Sequence, residues 1–153
     1  MMRYAILFLS LASNLAHADI IEKNKNEQWN VEGLAHYIRS KENKRFSANL
    51  IAVGNNSSIV AFHEPYTYCR SRAVYKKVKI QYQWVNYVSQ CIGGDNFWMP
   101  NSQKGKDFVK QEFSRNADVK VVFESENYTF STKKFASVKQ HWERTVKTSG
   151  NAL

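Results

Sequence analysis

The chain predicts an α+β fold: mainly antiparallel sheet, or a small sandwich, with two covering helices and one disulfide. Three observations carry that prediction. Val74, Lys76, Val78, Ile80, Tyr82 and Trp84 occupy alternate positions, the period of a strand with one face in a core and one in water. Two further stretches read as hairpins and two others place apolar residues at helical spacing. The only two cysteines, Cys69 and Cys91, bracket the alternating stretch.

Residues 1–18 read as an export signal. Arg3 gives a basic start, Tyr4 to Leu15 an apolar run, and Ala16-His17-Ala18 a small-x-small cleavage site. The run is shorter than the ~20 apolar residues that a spanning helix needs, and no other segment is apolar enough to cross a bilayer as a helix. The expectation is one exported domain over residues 19–153, periplasmic in the first place and fully secreted as the alternative. Residues 19–28 (DIIEKNKNEQ) form its loose polar arm.

From Trp29 to Ile38 the apolar residues Val31, Leu34, Ala35 and Ile38 follow a helix-like spacing interrupted by Gly33, which an irregular strand satisfies equally. Phe46 to Val53 and Ile59 to His63 predict a hairpin around Gly54-Asn55-Asn56, where positive φ is tolerated. Pro65 ends it, because proline cannot donate to a sheet ladder. The alternating strand from Val74 to Trp84 breaks near Val85-Asn86 and leads into a second strand from Tyr87 to Cys91, stopped by Gly93-Gly94-Asp95.

Asn96 to Pro100 (NFWMP) predicts an aromatic bend. Asn101 or Ser102 then caps a helix over about 103–114, with Phe108 and Phe113 toward the sheet. Val119 to Phe123 and Tyr128 to Ser131 form the second hairpin. Thr132 caps a final helix over about 133–147, in which Phe135, Val138, Trp142 and Val146 repeat at three- and four-residue steps. The predicted core takes Leu50, Ile51, Val53, Val60, Phe62, Val78, Ile80, Tyr82, Val88, Phe113, Val121, Phe123, Phe130, Phe135, Val138 and Trp142.

Export and cysteine number agree, since two cysteines bound for an oxidising compartment pair with each other. The 22 basic residues exceed the 13 acidic ones; without Arg3, 21 against 13 leave a formal charge of +8. This balance favours acidic partners, an envelope component or protein foremost and nucleic acid less so. The predicted site is the basic face around the central strand, with Arg70, Arg72, Lys76, Lys77 and Lys79 supplying attraction and Trp98 supplying a ring for contact.

Catalytic and metal chemistry find little support. His36, His63 and His141 have no metal-ligand spacing, and the chain has no Gly-rich phosphate loop, no GxSxG and no convincing carboxylate pair. A Cys69–His63 nucleophile requires an unpaired thiol. No cofactor and no catalytic residue is therefore assigned. The alternatives are a small secreted nuclease using His63 and His141, and a periplasmic immunity or exclusion factor.

The last third runs from Cys91 through Pro100, Phe108 to Phe113 and Val119 to Phe123 to Phe130, Ser131 and Phe135. This succession resembles the ending of Gram-negative exported proteins of the invasion-associated locus B type and related envelope proteins. The resemblance implies a periplasmic β-sandwich without enzymatic activity.

Overall fold

The structure, a computed structural model, describes residues 28–32, 35–53, 57–69 and 72–150. The predicted export signal, nearly all of the N-terminal arm, the Gly54-Asn55-Asn56 turn and Arg70 lie outside the described residues. The strands are β1 (Asn30–Glu32), β2 (Ala35–Arg39), β3 (Ser47–Val53), β4 (Ser57–Tyr68), β5 (Tyr75–Ile80), β6 (Gln83–Ile92), β7 (Asp95–Pro100), β8 (Asp118–Phe123) and β9 (Glu126–Ser131). They form one antiparallel sheet in the order β1-β2-β3-β4-β7-β6-β5-β8-β9, curved into a half-barrel. Helix α1 (Gln103–Arg115) enters between β7 and β8, and α2 (Phe135–Gly150) follows β9. The α+β fold with two helices and one disulfide is thus the observed one.

Alternation along each strand decides the inner face. Val78 and Ile80 of β5, Val85 and Tyr87 of β6, Phe62 of β4, Val121 and Phe123 of β8 and Phe130 of β9 are all buried. Phe62 lies between Phe46, Tyr87 and Phe130, at ring-centroid separations of 5.6, 5.5 and 5.6 Å. The helices close this core. Ser102 caps α1, its hydroxyl accepting from the Gly105 N–H at 3.1 Å, and Val109 and Phe113 point inward. Gly105 lets α1 approach the sheet, because a Cβ there would sit 3.1 Å from Val85 Cγ1. From α2, Phe135 and Trp142 are buried, and Val138 and Val146 pack against the cluster.

The segment from Trp29 to Ile38 is a hairpin rather than a helix. Its residues pair onward into the sheet, His36 opposite Leu50 and Ile38 opposite Ala48, so sheet pairing overrides the helix-like spacing. The NFWMP segment is strand β7 rather than a bend, held on both sides by β4 and β6. Within the core prediction, Val88 and Ile51 are only half-buried and Tyr82 is 94% exposed, while the side chain of Val53 lies outside the described residues.

The exposure of Tyr82 has a local cause. The alternating stretch is two strands, folded back at Gln81-Tyr82 and not near Val85-Asn86. Gln81 takes φ 54°, a left-handed conformation usually announced by glycine or asparagine. Tertiary bonds hold it there. Its N–H donates to the Lys120 carbonyl at 2.8 Å and its side-chain amide donates to the Asp118 carbonyl at 3.0 Å.

The loop between β2 and β3 guards the β9 edge. The Lys41 N–H donates to the Thr129 carbonyl at 2.9 Å, and the Thr129 N–H donates to Glu42 Oε2 at 2.6 Å. An ion pair of 2.8 Å joins Lys41 to Asp118. Covering an edge strand in this way protects it against pairing with other chains. The Cys69–Cys91 disulfide, Cα to Cα 5.3 Å, ties the end of β4 to β6 across the start of β7.

Candidate functional site

Two surfaces concentrate polar and aromatic side chains: the outer wall of β6, β5 and β8, and the open mouth of the half-barrel away from the helices. On the wall, Lys79 lies opposite both Trp84 and Val122. Lys77 is two residues along the same face from Lys79, and Lys120 two along from Val122. Their shared outward direction follows from the strand period of two. Trp84 is 54% exposed, with the Lys79 ammonium 6.0 Å from its ring centroid. Lys77, Trp84, Val122, Glu124 and Ser125 line a shallow groove of about 500 Å³. Among the described residues, Lys77, Lys79 and Lys120 are in no ion pair. Glu124, which lines the same groove, is paired with Lys76 instead.

The mouth is different in character. The ends of β4 and β8 and the starts of β5, β7 and β9 meet here, around two cavities that share Glu64 and Glu124. The smaller, about 300 Å³, is bounded by Phe46, Phe123, Glu126 and Tyr128 among others. The larger, about 570 Å³, is lined by Thr67, Tyr68, Val74, Lys76, Ser89, Asn96 and Trp98 as well as the shared carboxylates. The Tyr128 hydroxyl donates to Glu126 Oε2 at 2.7 Å. Its pKa is pushed well above the ordinary tyrosine value, first by loss of solvent, then by this bond and by the negative charges of Glu126, Glu64 and Glu124. All three carboxylates thus act on one hydroxyl.

The predicted basic site is divided between these surfaces. Lys77 and Lys79 lie on the outer wall as expected, and Arg72 is exposed just before β5. Lys76 belongs to the opposite face. It pairs with Glu124, and its ammonium lies 4.2 Å from the Trp98 ring centroid and 4.9 Å from that of Phe123. Trp98 is 3% exposed, so it is a core ring under a lysine and not a surface for a macromolecular partner. The ring placed beside the outward-facing lysines is Trp84. Sequence reasoning assigned Trp84 to the buried row because the Gln81-Tyr82 turn, which flips the following strand, carries no turn signature.

Of the tyrosines flanking the central strands, Tyr75 and Tyr68 are exposed at 65% and 92%, whereas Tyr87 is fully buried. The histidines do not converge as a nuclease pair would require. His63 is on the outer face beside Phe97, at 4.9 Å between rings, while His141 of α2 lies against inward-facing His36, at 5.6 Å. No group of three or more metal-ligating side chains occurs among the described residues, and none of their helices is long and apolar enough to cross a membrane. No family model, no curated protein and no solved structure matches the chain.

Proposed function

We propose that the chain is an exported, non-enzymatic binding protein that meets an acidic envelope partner through the outer wall of β6, β5 and β8. The observation that carries this reading is the outward-facing row of Lys77, Lys79 and Lys120 around the exposed Trp84, with none of the three lysines in an ion pair among the described residues. Unpaired ammonium groups attract an anionic surface at long range, and an exposed indole supplies the contact area that charge alone does not. The export signal and the resemblance of the last third to invasion-associated locus B type proteins support an accessory role at the envelope. Nucleic acid is the second acidic polymer the same face would attract.

The test is capture of the disulfide-bonded mature protein on vesicles of anionic phospholipid, on purified lipopolysaccharide and on duplex DNA, at low and high salt. Binding to an envelope component that falls with salt, and that Lys77→Glu with Lys79→Glu reduces by about tenfold or more, is the expected result. Trp84→Ala is expected to weaken binding without changing its salt dependence. Binding that the double charge reversal leaves unchanged overturns the proposal. Preference for DNA over every envelope component moves the partner to nucleic acid.

A further inference from the structure

The larger cavity at the mouth carries a separate inference, resting on none of the outer-wall lysines. Asn96 lines it while being only 7% exposed. Its side-chain amide makes no hydrogen bond to any described residue. The amide is not enclosed in protein; it opens onto the cavity, where water or a ligand can meet both its donor and its acceptor. The Glu64 carboxylate on the same wall is in no ion pair among the described residues. The Ser89 hydroxyl accepts from the Val74 N–H at 2.9 Å, which leaves its own proton for a further acceptor. At the rim, Tyr68 offers a ring that is 92% exposed.

These groups select among ligand classes. Among the described lining residues, an anion would meet Glu64 and Glu124, while Lys76 is already paired with Glu124. A cation seeking the aromatic floor would find the ring of Trp98 already covered by the Lys76 ammonium. A neutral polyhydroxylated ligand matches what is open: it donates to Glu64, exchanges two bonds with Asn96 and accepts from Ser89. Its C–H face can stack on Tyr68 as apolar surface does on aromatic rings. The volume of about 570 Å³ is in the range of small-molecule sites and exceeds one sugar ring. We infer that the mouth of the half-barrel is a binding site for a neutral oligosaccharide, oriented by Asn96 and Glu64 and stacked on Tyr68.

The experiment is an amide-resolved NMR titration of the mature, disulfide-bonded protein with chitotetraose and maltotetraose, with a heparin tetrasaccharide and glucosamine as anionic and cationic controls. The expected result is saturable shifts at Tyr68, Ser89 and Asn96 with at least one neutral sugar. Asn96→Ala and Glu64→Gln should each weaken that binding by about tenfold, and Lys77→Glu with Lys79→Glu should not change it. Tyr68→Ala, at an exposed ring, should weaken binding without disturbing the fold and so covers the event that Asn96→Ala does not fold. Absence of shifts with both neutral sugars at millimolar concentration overturns the inference. So does binding confined to the charged controls, or neutral binding unaffected by Tyr68→Ala.

Discussion

Single residues carry costs in this core that their types do not reveal. Tyr87 is fully buried and its hydroxyl has no hydrogen-bond partner. Its pKa is raised well above 10.0 by burial alone. Replacing it with phenylalanine removes an unsatisfied polar group while keeping the ring against Phe62. Tyr87→Phe is therefore expected to raise the unfolding free energy by about 1 kcal/mol, read as a higher denaturant midpoint at unchanged slope. The same residue sets a pH limit. Below the unfolded pKa both states are protonated; above it the unfolded chain loses protons that folded Tyr87 and Tyr128 retain. Stability should be independent of these groups at neutral pH and fall as pH rises beyond about 10. Tyr87→Phe should make that alkaline decline shallower; an unchanged decline would show that other groups dominate it.

At the scale of elements, the turn between β5 and β6 decides which side chains form the outer wall. Gln81 is held at φ 54° by two bonds to β8, one from its backbone and one from its side chain. Gln81→Ala keeps the unfavourable backbone and loses the side-chain bond, an expected loss of about 1–2 kcal/mol. Gln81→Gly loses the same bond but relieves the backbone, so it should cost less than the alanine variant. Equal losses in chemical denaturation would mean that the hydrogen bond alone matters. The β8–β9 turn has the same character, with Glu124 and Ser125 at φ 50° and 71°. There the hairpin was still legible, because Val119 to Phe123 and Tyr128 to Ser131 flank it with strong strand patterns on both sides.

For the molecule as a whole, the disulfide and the loop from β2 to β3 restrain a sheet that does not close on itself. Cys69 and Cys91 are 22 residues apart, and cross-linking a loop of that size is worth about 3 kcal/mol in the chain-entropy account. Cys69→Ala with Cys91→Ala should lower the unfolding free energy by about that amount. Because the bridge joins β4 to β6 around the mouth, hydrogen exchange should increase most at the ends of β4 and β6 and the start of β7. Uniform loss of protection would instead indicate that the mouth is not a separately opening unit. Charge is also distributed at this scale: Lys76 is drawn into the mouth beside Glu124, while Lys77 and Lys79 remain on the wall. Three nearly consecutive lysines therefore serve two surfaces.

The sequence by itself determined the α+β class, the pairing of the only two cysteines, both helices with a cap at Asn101 or Ser102, and the outward direction of Lys77 and Lys79. These rest on period, on residue chemistry at helix ends and on cysteine number, all of which are local or countable. Tertiary structure decided the rest. It made a hairpin of Trp29 to Ile38 through pairing with β3 and made a strand of NFWMP between β4 and β6. It placed Trp84 on the outer wall through a turn stabilised from β8. It also gathered Glu64, Asn96, Ser89 and Tyr68 at one mouth. Each of those outcomes depends on hydrogen bonds and packing between residues distant along the chain, and neither periodicity nor turn composition records such contacts.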